Sequence, residues 1–154
     1  MKKAFSGVGF VVFVFVFAIV ATLSIEYYRI FSFKESVETD ISRALNISVD
    51  IAMQDINRIQ HKSIMDTDTA RIEFKKYLKD NMGLNSFNEK YDNNGKFMYR
   101  LIIEDEQVQR SPAKYISRGK IRMQPIIIRK FFPDDGYTFD LPFKQESRNT
   151  RYDD

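Results

Sequence analysis

Few residues of this sequence belong to the types that carry out chemistry. The chain has no cysteine, which excludes disulfides, thiolate metal sites and cysteine nucleophiles. Its single histidine, His61, stands in Gln60-His61-Lys62 with no second ligand or triad partner nearby in the sequence. We therefore interpret His61 as an exposed linker residue, and we predict no catalytic, cofactor-binding or metal-binding residues.

Three short acidic clusters resemble pieces of cation-binding loops but fit helix caps and turns better. Asp66-Thr67-Asp68 stands where a helical pattern begins, and such side chains cap free backbone amides there. Asp92-Asn93-Asn94-Gly95 lacks the glycine that an EF-hand loop needs at its sixth position, which is Phe97 here. Pro133-Asp134-Asp135-Gly136 is a hairpin-turn signal. Because no phosphate loop or nucleophile motif occurs either, we expect a protein that is not an enzyme.

The charge balance gives no case for a nucleic-acid partner. Of the 24 basic residues, Lys2 and Lys3 precede an apolar block, and the first acidic residue is Glu26. The remainder therefore carries 22 basic and 21 acidic residues, a net charge of +1. A domain so nearly neutral has no electrostatic basis for binding DNA or RNA.

The apolar block covers residues 4–25, AFSGVGFVVFVFVFAIVATLSI, and contains no charge. As a helix it is about 33 Å long, close to the thickness of a bilayer's hydrocarbon core. The basic residues before it and Glu26 after it predict a cytoplasmic N-terminus and an extracytoplasmic remainder. We predict an uncleaved single-pass plasma-membrane anchor over residues 1–25, surrounded by lipid. The alternative is a signal peptide that is cleaved after Ala21. The cleavage site is poor, because Ile19 occupies the third position before the cut, where small residues are preferred.

Residues 26–65 are predicted to form an amphipathic helical spine that continues the anchor. No proline or glycine occurs from Ile25 to about Gln60, although a break near Ser32 or Asn46 stays open. Apolar residues recur there at steps of three and four. We expect this apolar stripe to pack against copies of the protein or related subunits; it comprises Val37, Ile41, Ala44, Leu45, Ala52, Ile56 and Ile59.

Residues 66–144 are predicted to form an extracytoplasmic α+β domain. A cap at residues 66–68 and Gly83 delimit a second helix over residues 67–82. Alternating patterns then predict antiparallel strands at residues 97–103, 114–117, 120–132 and 137–143, with Gly119 as a separator and Pro142 as the mark of an edge strand. The polar tail, residues 145–154, is predicted to be flexible. The fold class is thus α+β, with a long N-terminal helix, a short helix and a small antiparallel sheet.

A helix that is half apolar and half amphipathic and leads onto a small antiparallel sheet resembles the type IV pilins and pseudopilins. The leader MKKAFSGVG followed by Phe10 is similar to a prepilin processing site, which implies cleavage between Gly9 and Phe10. Val14 occupies the fifth mature position, where pilins usually carry glutamate. The stretch from EYYRIF to KYLKDNMGL is also similar to small single-helix proteins of the tight-adherence pilus assembly group.

These resemblances imply a non-enzymatic structural or assembly component of a bacterial pilus-like or pseudopilus-like machine. Its partners would be membrane lipid and proteins, including copies of itself, that contact the N-terminal helix. The alternative is a membrane-anchored extracytoplasmic binding or regulatory module of a membrane complex. No cofactor is expected in either case.

Overall fold

The structure, a computed structural model, describes residues 2–53, 59–125, 127 and 138–149, with side chains from residue 7 onward. Helix α1 (Lys2–Ala52) is followed by helix α2 (Thr67–Asp80). Four strands come next: β1 (Glu89–Tyr91), β2 (Phe97–Gln109), β3 (Lys114–Met123) and β4 (Phe139–Arg148). They form one sheet in the order β1-β2-β3-β4, in which every neighbouring pair is antiparallel. The predicted α+β architecture is confirmed.

Helix α1 is one unbroken helix of 51 residues. Its first part, residues 7–25, contains no buried side chain, and we call it the apolar half of α1. Within the described residues, α1 is the one helix long and apolar enough to cross a membrane. The helix passes through Ser32 and Asn46, so neither of the two considered breaks occurs.

The helix ends at Ala52, earlier than the sequence predicted. Met53 forms a bridge with Met65, and the backbone N–H of Asp66 donates to the carbonyl of Ala52 at 2.9 Å. The Ala52 carbonyl, which would accept a hydrogen bond in a further helical turn, is therefore already used. Helix α1 therefore stops short of the predicted end near Gln60, and residues 54–58 of the predicted continuation lie outside the described residues.

The hydrophobic core lies between the second part of α1, helix α2 and one face of the sheet. Ile41 and Leu45 of α1 are fully buried, as are Phe74 of α2 and Tyr115 of β3. The rings of Phe74 and Tyr115 pack with their centroids 5.2 Å apart. Covering the α1 stripe in this way supplies the tertiary packing that a long helix in water needs.

Strand β3 runs without interruption through Gly119, so the predicted separation into two strands at this glycine is wrong. Gly119 pairs with Ile103 on one side and with Phe143 on the other. A Cβ atom on Gly119 would lie 1.9 Å from the carbonyl oxygen of Ile102. The glycine is therefore required for close strand approach, next to a register shift between Ile103 and Asp105 in β2.

The two strands of the predicted hairpin differ from their predicted bounds. Strand β3 stops at Met123, before its predicted end, and the predicted hairpin turn at residues 133–136 lies outside the described residues. Strand β4 extends to Arg148, so residues 145–148 belong to the sheet and not to a flexible tail. Pro142 does lie on a strand at the edge of the sheet, as predicted.

Candidate functional site

The apolar stripe predicted on the helical spine is largely internal to this fold. Val37, Ile41, Ala44, Leu45 and Ala52 are all buried in the chain's own core. The expectation that they pack against other copies is thereby corrected, because α2 and the sheet already cover them. Ile59 lies beyond α1 and is 78% exposed, and Ile56 lies outside the described residues.

The predicted processing site lies within the apolar half of α1. Gly9 and Phe10 are both exposed, and α1 is continuous through them. A Cβ atom added to Gly9 would meet nothing within 4 Å, so the fold itself does not demand glycine there. Whether the chain is cut at this position stays a prediction.

The residues considered for chemistry occupy turns and caps. The Asp66 carboxylate accepts the backbone N–H of Thr69 at 2.7 Å and caps α2, and this hydrogen bond lowers the pKa of Asp66. The Asp92 carboxylate accepts the backbone N–H groups of Asn94 and Lys96, each at 2.8 Å. His61 is exposed in a left-handed backbone conformation. No group of three potential metal ligands occurs among the described residues, and Asp134 and Asp135 lie outside them.

The structure brings together a different set of residues, at one end of the sheet. Strand β2 begins beside Phe33 of α1, whose ring lies 5.3 Å from the ring of Tyr99. It finishes beside the end of α1, where the Met65 N–H donates to the Arg110 carbonyl at 3.0 Å and Met65 pairs with Met53. The strand therefore runs in the same direction as α1, and its first residues lie toward the apolar half.

We call this part of the sheet the near end. It is formed by Tyr91, residues 92–96, Phe97, Met123 and Phe139, and the register places the last two opposite each other. Tyr91 and Phe97 contact each other with ring centroids 5.9 Å apart. Tyr91 and Phe139 nevertheless remain 45% and 44% exposed.

Glu26, the first residue after the apolar block, connects α1 to the segment that follows β3. Its side chain is only 5% exposed, and its Oε1 accepts the backbone N–H of Ile127 at 3.2 Å. The other oxygen, Oε2, has no hydrogen-bond partner within the described part of the chain. A cavity of about 260 Å³ lies beside it, lined by residues that include Ile30, Phe33 and Met123. This buried carboxylate holds Ile127 next to the apolar half of α1.

A polar network stiffens the near end. Glu89 accepts Arg100 Nε at 2.9 Å and also pairs with the second guanidinium nitrogen of that residue. The same carboxylate accepts Asn85 Nδ2 at 3.2 Å and the Tyr91 hydroxyl at 3.0 Å. Arg100 first, and then these two donors, lower the pKa of Glu89. The network joins the loop after α2 to β1 and β2 and includes the Tyr91 hydroxyl.

A second concave feature lies farther along the sheet, against α2. This cleft has a volume of about 490 Å³ and is lined by side chains of α2, the following loop and β2. Lys75 and Lys79 contribute two exposed amines from α2, and Asn85 and Ser86 contribute polar groups from the loop. Ile103 and Glu106 form the side made by β2.

Sequence reasoning identified none of the near-end contacts. The hydrogen bond from Ile127 to Glu26 spans 101 positions, and the one from Arg100 to Glu89 spans 11 positions across two strands. Neither pair belongs to a recognisable motif. For the Glu26 contact, the sequence offered one indication: Glu26 is the charged residue that directly follows an uncharged block of 22 residues.

Comparison of the chain with models of known protein families, with curated protein sequences and with solved structures finds no significant match in any of the three.

Proposed function

We propose that this protein is a single-pass membrane protein whose residues 7–25 cross the bilayer and whose domain lies on the extracytoplasmic side. The observation that carries the proposal is that this apolar stretch contains no buried side chain, although the rest of the described chain has a packed core. An apolar surface of this size in water would drive association, whereas hydrocarbon covers it at no cost. The charges at its two ends, Lys2 and Lys3 before and Glu26 after, support the orientation.

We further propose a structural or assembly role in a bacterial envelope machine of the pilus or pseudopilus kind. The unbroken α1 supports this, because a single helix enters the domain core without a hinge and couples anchor and domain as one stiff unit. Since the domain covers most of the stripe of the outer helix, we expect neighbouring subunits to contact the exposed apolar half of α1. Partners are therefore expected within the membrane.

Single-cysteine cross-linking tests this assembly role on a clean background, because the chain has no cysteine of its own. Each position from Val8 to Leu23 would be replaced in turn, and membranes would be oxidised before electrophoresis. Self-association through α1 predicts dimers whose yield peaks every three to four residues. Absence of cross-linking at every position would contradict self-association, and intact mass of the extracted protein would show whether residues 1–9 are removed.

The alternative, an anchored binding module, is favoured by one observation, the cleft between α2 and β2. The amines of Lys75 and Lys79 suit an anionic group such as a carboxylate or phosphate. A thermal-shift screen of the full chain in detergent against such compounds would test it. Stabilisation that disappears in the K75A/K79A variant would support the module and weaken the assembly role.

A further inference from the structure

The near end of the sheet faces the membrane that the apolar half of α1 is proposed to cross. Its height follows from the helix rise, given the proposed span. Ile25 ends the apolar block and Phe33 contacts Tyr99, so Tyr99 lies about 12 Å above the edge of the hydrocarbon core at about 1.5 Å per residue. The headgroup layer occupies roughly the first 5–8 Å of that distance.

The sheet continues from Tyr99 back toward the bilayer. Phe97 lies two residues earlier on β2, which is about 7 Å along a strand. It is followed, in the same direction, by the turn at residues 92–96. The near end therefore reaches into the headgroup layer. A separate contact, the hydrogen bond from the N–H of Ile127 to Glu26, places Ile127 at the level of the first residue beyond the apolar block.

The exposed side chains at this height suit such surroundings. Tyr91, nearly half exposed on the edge strand β1, offers aromatic surface at this height. Phe139 lies opposite Met123 and therefore level with Tyr99, above the headgroup layer. Lys96 is exposed in the turn between β1 and β2, and Arg29 is exposed on the adjoining part of α1. Aromatic rings favour the headgroup level of a bilayer, and long basic side chains can reach lipid phosphates from it.

We propose that the near end of the sheet, through Tyr91 and Lys96, inserts into the phospholipid headgroup layer next to its own anchor. This inference rests on the proposed membrane span. Its consequence is a domain that lies against the bilayer in one fixed orientation. By the same height arithmetic this surface lies at the level of the lipid headgroups, so phospholipid is its expected occupant.

Tryptophan depth measurements test the inference in the full chain, because the sequence has no tryptophan. The reporters are Tyr91→Trp on β1 and Lys96→Trp in the following turn, which replace exposed side chains, so one remains informative where the other disturbs the fold. The matched control is Gln109→Trp, exposed at the opposite end of β2. Phe15→Trp, near the middle of the proposed span, reports on the anchor itself. Each variant is placed in phosphatidylcholine vesicles that carry a nitroxide either on the headgroup or deep in the acyl chain.

The expected result is loss of emission from Tyr91→Trp and Lys96→Trp with the headgroup nitroxide, and from Phe15→Trp with the acyl-chain nitroxide. Gln109→Trp should keep its emission with both. If the two reporters behave like Gln109→Trp while Phe15→Trp is quenched, the headgroup contact is overturned and the membrane span stands. If Phe15→Trp keeps its emission as well, the span fails and the headgroup contact fails with it.

Discussion

The ring of Phe33 on α1 meets the ring of Tyr99 on β2 edge to face, with centroids 5.3 Å apart and ring planes at 69°. Tyr99 is almost fully buried, and this burial raises the pKa of its phenol to about 12. The contact comes eight residues after the apolar block ends and joins the first part of the sheet to the helix. It is therefore the contact that sets how far the domain stands from the proposed membrane.

A double-mutant cycle measures this contact. We expect Phe33→Leu and Tyr99→Leu to destabilise the protein non-additively, with a coupling of about 0.5–1.5 kcal/mol, the range for aromatic pairs. Denaturant unfolding of the full chain in detergent gives the free energies. Phe31→Leu is the matched control, since Phe31 is exposed on the same helix and should couple to Tyr99→Leu weakly. Equal coupling for Phe31 and Phe33 would contradict a specific contact.

The close approach of β2 and β3 predicts a severe effect at Gly119. Gly119→Ala places a Cβ against the carbonyl oxygen of Ile102, so the strands must shift, at a cost of about 1–3 kcal/mol or more. The same denaturant unfolding measures the loss. Gly95→Asn is the control, because Gly95 has open space around it and a φ of +73°, which asparagine tolerates. If the Gly119→Ala and Gly95→Asn variants have the same free energy of unfolding, glycine is not required for the close approach of β2 and β3.

The cap of α2 predicts unequal roles for two neighbouring aspartates. Asp66→Ala removes the acceptor for the Thr69 N–H and should lower the midpoint of thermal unfolding. Asp68→Ala removes a longer pair with Arg71, at 3.6 Å between exposed side chains, and should change the midpoint less. A larger loss from Asp68→Ala would contradict the assignment of Asp66 as the cap.

The Glu89 network predicts a pH dependence of stability. The pairing with Arg100 holds the pKa of Glu89 below its usual value of about 4.3 in the folded state. The unfolded state therefore binds the proton more readily, and the stabilisation is present above about pH 4.3 and is lost as the pH falls through the lower folded pKa. Unfolding midpoints measured from pH 7 to pH 3 should fall less steeply in Glu89→Gln than in the wild type. Glu35→Gln, at an exposed site on α1, should keep the wild-type slope; equal slopes in all three proteins would exclude this role of Glu89.

Local patterns predicted the helices and turns of this fold well. The cap at Asp66, the turn at Asp92 and the buried steps from Val37 to Ala52 each depend on neighbours within a few residues. Such short-range chemistry leaves a periodic or compositional signal in the sequence. The edge position of Pro142 was predictable for the same reason.

Contacts between distant segments decided the features that the sequence did not predict. Helix α1 ends at Ala52 because Met53 and Met65 pair, and Gly119 is a strand residue because of the approach of Ile102. The role of the near end depends on Glu26 meeting Ile127 and on Phe33 meeting Tyr99. None of these pairs is adjacent in sequence, so residue patterns alone contain no record of them.

The central claim is that residues 7–25 anchor an intact chain whose domain lies outside the membrane. Labelling of the Ser86→Cys variant with a membrane-impermeant maleimide in bacterial spheroplasts tests it most directly, because Ser86 is exposed and the chain has no other cysteine. We expect labelling without permeabilisation and an alkali-resistant membrane protein that retains its apolar block. Protection until the cells are lysed, or a labelled soluble product that has lost the block, would contradict the account.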